Sequence, residues 1–169
     1  MKLAVFFPGI GYHCDKPLLY YSEKIAKQYR YETIKIAYEG LSKDLDAAFE
    51  EAFAQTEKRL AGIDWQQYED ILFVSKSIGT AVACAYAGRY QIDCRNLYYT
   101  PLEQTFILAP KDGIVFHGTS DPWAQTEVIQ RTCREHNLPL QIIEAANHSL
   151  EIPEKTRQNL VILTEVMEE

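Results

Sequence analysis

Residues 70–83 read Asp-Ile-Leu-Phe-Val-Ser-Lys-Ser-Ile-Gly-Thr-Ala-Val-Ala, and they constrain the fold more than any other stretch of the chain. The run Ile71–Val74 is apolar without alternation, as expected of a strand covered on both faces in the middle of a parallel sheet. It passes through small residues straight into an Ala-rich segment expected to be helical over Ile78–Gly88. A doubly buried strand that turns directly into a helix needs parallel strands beside it and helices on both faces.

The rest of the chain provides them. Leu3–Phe7, Tyr31–Ala37, Asn96–Thr100, Ile114–His117 and Leu140–Ala145 read as further strands. Pro17–Tyr29 reads as a helix, with Asp15 ahead of it as a cap and Pro17 in its first turn. Leu45, Ala48, Phe49, Ala52, Phe53 and Leu60 fall on one helical stripe, with Ser42 as the expected cap. Ala124–His136 and Pro153–Met167 complete the helices. The expected fold class is α/β: an open, mainly parallel six-stranded sheet with helices on both faces. No repeat, low-complexity run or linker interrupts it, so residues 1–169 read as a single domain.

Composition narrows the partners. A net charge of −7 argues against nucleic acid, which needs a basic face for phosphates. No stretch approaches the ~20 apolar residues of a membrane helix. The apolar start of the chain stops at Pro8-Gly9, too short for an export signal. The expectation is a cytoplasmic protein with a small-molecule partner and no membrane or nucleic-acid partner. Cys14, Cys84, Cys94 and Cys133 are scattered without CxxC spacing, which reads as reduced structural thiols. No His, Asp or Glu set has metal-ligand spacing.

Parallel sheets bind ligands beyond the carboxyl ends of their strands, and chemistry-bearing residues sit there. Gly9-Ile10-Gly11 follows the first strand, Ser77 the third, Asp121 the fifth and His148 the sixth. A serine hydroxyl is a poor nucleophile until an imidazole accepts its proton. A carboxylate fixes the tautomer of that imidazole and stabilises its charged form. Backbone N–H groups stabilise the oxyanion, here those of Ile78 and Ile10.

With these residues the chain resembles a small, cap-less member of the α/β-hydrolase superfamily over nearly its whole length. The resemblance rests on the Pro8–Gly11 loop, the strand-to-helix elbow at Ser77, the Gly118-x-x-Asp121 turn and Asn147-His148, in the superfamily order Ser, Asp, His. The elbow departs from G-x-S-x-G in having Ser75 at the first glycine, which makes Ser75 a second candidate nucleophile. Only Pro101–Asp112 fills the place where a cap commonly enters, and twelve residues make a loop rather than a lid. The resemblance implies a serine hydrolase with an open site, acting on a small soluble acyl ester, thioester or lactone. Ser77, His148 and Asp121 would be its catalytic residues, with no organic cofactor and no metal. The open edges of such a sheet offer a surface for a homodimer.

Plainer readings stand beside these. Asp121-Pro122 is also a helix-cap signature. His117 reads as structural, His136 as a helix-end residue, and His13 as a possible pocket residue. Gly9, Gly11, Tyr12 and Trp123 read as pocket walls. Lys76 reads as a solvent-facing or locally paired charge, and Glu103 as a solvated loop carboxylate. Gly9-x-Gly11 with Glu39 also fits, weakly, a dinucleotide-binding oxidoreductase, although Cys14 stands where the third glycine would be. A non-catalytic binding module on the same scaffold is the remaining alternative.

Overall fold

The computed structural model describes residues 1–169. Its strands are β1 (Lys2–Phe7), β2 (Tyr31–Lys35), β3 (Asp70–Lys76), β4 (Arg95–Tyr99), β5 (Gly113–Gly118) and β6 (Leu140–Ile143). They form one six-stranded sheet in the order β2-β1-β3-β4-β5-β6, and every neighbouring pair is parallel. Inside it, Val74 of β3 registers with Phe6 of β1 on one side and Leu97 of β4 on the other. The crossovers carry α1 (Pro17–Gln28), α2 (Leu45–Leu60), α3 (Ile78–Tyr90), α4 (Glu103–Ile107) and α5 (Thr126–Glu135), and α6 (Thr156–Glu168) closes the chain.

The pleat explains why the inner strands show no polar alternation. Leu3, Val5 and Phe7 of β1, with Ile71 and Phe73 of β3, pack against Ala52, Phe53 and Leu60 of α2 and Val82, Ala83 and Tyr86 of α3. The alternate residues Ala4, Phe6 and Val74 face Leu18, Leu19 and Ala26 of α1 and Ile162 and Val166 of α6. Successive side chains point to opposite faces, and both faces are dry. The α2 stripe buries Ala48, Ala52, Phe53 and Leu60 as its spacing predicts, and Thr56 with them. No helix is long and apolar enough to cross a membrane.

Several local expectations need correction. The α2 cap is Asp44, whose carboxylate accepts from the Ala47 amide at 2.9 Å, while the Ser42 hydroxyl accepts from the Asp44 amide. Asp15 does not cap α1; it pairs with Lys35 at 2.9 Å. The Pro101–Asp112 segment is not wholly loop, because α4 buries Thr105 and Phe106 and ties the Thr105 hydroxyl to that of Thr80 at 2.7 Å. The last helix begins at Thr156, since the Asn159 side chain holds both the N–H and the C=O of Ile152 in a non-helical turn. β2 ends at Lys35 and β6 at Ile143, two residues before Ala145 takes a positive φ of 59°.

Candidate active site

The junction between β3 and α3 is tight. Ser77 occupies φ 56° and ψ −126°, a region L-residues rarely adopt and one that stores roughly 1–3 kcal/mol of strain. Bonds on both sides hold it there. The Ser77 amide donates to Tyr99 O at 3.0 Å, and Ser77 O accepts from the Thr80 hydroxyl at 2.6 Å. Gly79 makes the turn possible, because a Cβ there would collide with the Phe7 and Pro8 carbonyl oxygens. Ser75 is fully buried and donates to Leu97 O at 3.1 Å, so it fills the first-glycine position facing away from the site.

Three loops converge on the half-buried Ser77. His148, after β6, brings Nε2 to 2.8 Å from Ser77 Oγ and Nδ1 to 2.7 Å from Asp121 Oδ2. Asp121, after β5, uses its other oxygen to accept from the Trp123 amide at 2.9 Å. That contact fixes the turn, but Asp121 does not cap α5, whose N-cap is Gln125. The first loop completes the convergence, since a Cβ on Gly9 would sit 3.0 Å from the Ser77 Cβ. The amides of Ile10 and Gly11 have no acceptor within the chain. The Ile78 amide opens a helix, where an intrahelical acceptor is lacking.

Electrostatics favour a neutral imidazole beside an ionised carboxylate. Burial, aided by the nearby positive charge of Lys76, pushes the His148 pKa below the ordinary 6.5 and outweighs the opposing Asp121 bond. Burial pushes Asp121 upward, but the bonds from His148 and the Trp123 amide prevail and hold it below the usual carboxylate value. Lys76 is not solvent-facing as its charge suggests. It is 1% exposed, among the largest fully buried side chains, with its Nζ 5.0 Å over the Tyr12 ring. Burial lowers its pKa to about 7 against the pull of Asp121.

The other residues singled out from the sequence divide. Trp123 is 66% exposed with its ring 6.3 Å from that of His148, at the mouth of the site. Gly11 is exposed in the first loop, and Ile10 beside it is exposed as well. Tyr12 is not an open wall; it is buried, and its hydroxyl accepts from the Leu18 amide at 3.1 Å. His117 is fully buried, with Nε2 3.0 Å from the Thr126 hydroxyl, and burial lowers its pKa. His13 is exposed and lies near Asp15 rather than in a pocket. His136 caps the end of α5. The Glu103 carboxylate accepts from the Gln125 amide at 3.1 Å. The glycines of the first loop do not open a helix, because α1 begins only at Pro17. A dinucleotide site needs its pyrophosphate at a helix start there. All four cysteines are free, and three of them are buried.

Two hollows flank the hydrogen-bonded Ser77, His148 and Asp121 side chains. An apolar one of about 190 Å³ is lined by Leu45, Phe49, Ile78, Ala81, Leu102 and Ile107. A polar one of about 440 Å³ is bordered by Glu103, Thr119, Asp121, Trp123 and Glu127. The largest cavity, about 600 Å³, is lined by Gly88, Ile92, Cys94, Asn96 and Lys111, around the end of α3 and the turn into β5. That is the opposite end of the sheet, and the converging polar groups are not there.

No family model and no curated protein matches the chain. Solved structures do. A lid-less α/β serine hydrolase from Xanthomonas campestris is similar with a TM-score of 0.70 at 11% identity, over 99% of this chain and 79% of that one. An α/β serine hydrolase homologue from Coxiella burnetii gives 0.68 at 13%, over 99% and 84%. A protein from Butyrivibrio proteoclasticus, solved with ferulic acid bound, gives 0.68 at 12%, over 99% and 89%. The strand order, the crossovers and these likenesses agree that the chain has the α/β-hydrolase fold in its cap-less form.

Proposed function

We propose that the protein is a serine hydrolase that cleaves a small soluble acyl ester, thioester or lactone through an acyl-enzyme. The observation that carries this reading is the unbroken relay Asp121 Oδ2–His148 Nδ1 at 2.7 Å and His148 Nε2–Ser77 Oγ at 2.8 Å. Ser77 Oγ attacks the acyl carbon as its proton passes to Nε2, and the proton is then given to the leaving oxygen or sulfur. Asp121 keeps the Nδ1–H tautomer and steadies the imidazolium. The Ile78 and Ile10 amides hold the oxyanion. Water repeats the sequence in reverse order and frees the acid. Every step uses a group of this chain.

The two hollows suggest how substrate lies. The apolar one borders Ile78, next to the attacking serine, and suits a short or aromatic acyl group. The polar one carries Glu103 and Glu127 beside Trp123 and suits a neutral or cationic leaving group. Because a structural neighbour holds ferulic acid, the ester panel that tests the proposal runs from acetyl and butyryl to feruloyl.

A fluorophosphonate should label Ser77, found by peptide mapping, and Ser77→Ala should lose both labelling and ester turnover. Since the His148 pKa lies below 6.5, the rate should rise with pH as the imidazole deprotonates and already be near its plateau at neutral pH. Labelling that survives Ser77→Ala places the nucleophile elsewhere. A protein that neither labels nor turns over any ester of the panel is the non-catalytic module instead.

A further inference from the structure

The apolar hollow beside Ile78 and the largest cavity of the molecule meet at a single residue. Leu108 borders both, with the hollow of about 190 Å³ on one side and the cavity of about 600 Å³ on the other. α3 runs beneath the two without dividing them. Ala81 faces the hollow and Cys84 the cavity, with Gly88 one turn further along. Spacings of three and four put these small residues on one helix face. A Cβ on Gly88 would meet nothing within 4 Å. The α3 side of the passage is therefore smooth, and the partition comes from α4.

α4 is fixed in place against α3. The Thr105 hydroxyl bonds that of Thr80 at 2.7 Å, and Phe106 is buried in the cluster that includes Cys84 and Tyr98. The Leu108 amide donates to Thr105 O at 3.2 Å, and Ala109 then takes a positive φ of 50°. Leu108 is 38% exposed, so it stands at the rim of both spaces rather than in the core. Four residues earlier, on the same face of α4, Gln104 borders both the apolar hollow and the polar one. The proposed reaction decides what each space holds. His148 hands its proton to the leaving group, so that group lies toward Trp123, whose ring is 6.3 Å from the imidazole. The acyl tail then enters on the Ile78 side.

We infer that Leu108 is a specificity-determining residue: it ends the acyl hollow and limits the tail that the site accepts to a short straight chain. A methylene is close in size to a water, which takes ~30 Å³ in the liquid, so the hollow of about 190 Å³ holds roughly six. Each methylene buried there should raise kcat/KM about fourfold. A longer tail meets Leu108 and turns out to solvent, where further carbons add nothing. Without the Leu108 side chain the passage continues over Cys84 toward Gly88. The inference rests on the serine-hydrolase reading for its effect on rates, although the place where a tail lodges is measurable without turnover.

The test measures kcat/KM for p-nitrophenyl esters from acetyl to decanoyl, below their aggregation concentrations. It compares wild type, Leu108→Ala and the double variant Leu108→Ala with Gly88→Leu. In wild type the values should climb to hexanoyl and then level off. Leu108→Ala should raise the decanoyl-to-hexanoyl ratio about tenfold. Gly88→Leu, which fills the far cavity, should take that gain away. Leucine is a better helix former than glycine, so this second change does not threaten α3. An unchanged ratio in Leu108→Ala, or a gain that survives Gly88→Leu, overturns the inference. Methyl NMR with the free acids separates the inference from the reading behind it. Hexanoate should shift Ile107, which lines the hollow, and leave Ile92, which lines the far cavity, unmoved. Decanoate should reach Ile92 only in Leu108→Ala. Decanoate that moves Ile92 in wild type, or fails to move it in the variant, refutes the role of Leu108. If no ester is cleaved and no fluorophosphonate labels Ser77, the hydrolase reading alone fails, since the methyl shifts still decide the question about Leu108.

Discussion

At the amino ends of β1 to β4, Lys2, Tyr31, Asp70 and Arg95 form a closed cluster. Arg95 reaches both Asp70 oxygens at 2.9 Å and the Tyr31 hydroxyl at 2.6 Å, while Lys2 sits 3.7 Å from Asp70 and over the Tyr31 ring. At the opposite rim of the sheet, Lys76 has no carboxylate partner, Ser77 is held at a positive φ, and burial holds the His148 pKa below its ordinary value. Both ends cap the same sheet, so the sheet does not dictate the difference. The partly exposed end satisfies its charges and contributes to stability. The other end leaves charge and backbone unrelieved, and that arrangement lowers stability while leaving the groups available for reaction.

The sharpest way to break this contrast is Asp121→Asn. It should leave folding nearly intact yet lower ester turnover on the order of 10⁴-fold, because the amide favours the wrong tautomer of His148. A loss under tenfold in steady-state kinetics would detach Asp121 from the reaction. Next comes Gly79→Ala, whose Cβ meets two backbone carbonyls that cannot yield easily. It should cost about 2–4 kcal/mol in urea unfolding. Ser77→Gly should do the reverse, gaining about 1–2 kcal/mol because glycine accepts the elbow's φ, while activity is abolished. No gain in the denaturation midpoint would show that the turn is not strained.

The smallest effect belongs to the other end. Burial raises the Asp70 pKa, but bonds from Tyr31 and Arg95 win and hold it below its ordinary 3.8. A depressed acid contributes stability above its unfolded pKa and loses it as pH falls through the folded one. Asp70→Asn should therefore cost under about 1 kcal/mol at neutral pH, after discounting for a partly exposed, screened pair. That cost should fade below pH ~3.8, with turnover unchanged throughout.

How much of this could be read in advance follows from what each residue's neighbours in sequence reveal. The βα alternation and the order Ser77, Asp121, His148 were legible, because strand ends in a parallel sheet gather on one rim whatever the loops do. The α4 helix was not, since five residues carry too little periodicity and its hold comes from Thr80 and a buried Phe106. Asp44 and Ser42 both suit a cap, and only the chain path chose between them. Lys76 was misread because a lysine at a strand end is ordinarily exposed. The clue was its parity: counting by twos from Leu72 and Val74 places it on the α1–α6 face, beside Tyr12. The oxyanion role of the Ile10 and Ile78 amides rests on their position in the chain alone, as backbone direction leaves no mark on residue type.

The acid turn and the base loop are stitched into one piece. The Ser120 amide donates to Ala146 O at 2.9 Å, the Thr119 amide to Ile143 O at 3.1 Å, and the Thr119 hydroxyl accepts from the Ala145 amide at 2.8 Å. Gly118 lies so close beneath Ala146 that no larger residue fits. β6, only four residues long, forms the outer margin of this patch. When that margin frays, carboxylate and imidazole leave the serine together. Opening of that one short border would therefore disarm the proposed relay as a unit, with the inner strands still paired.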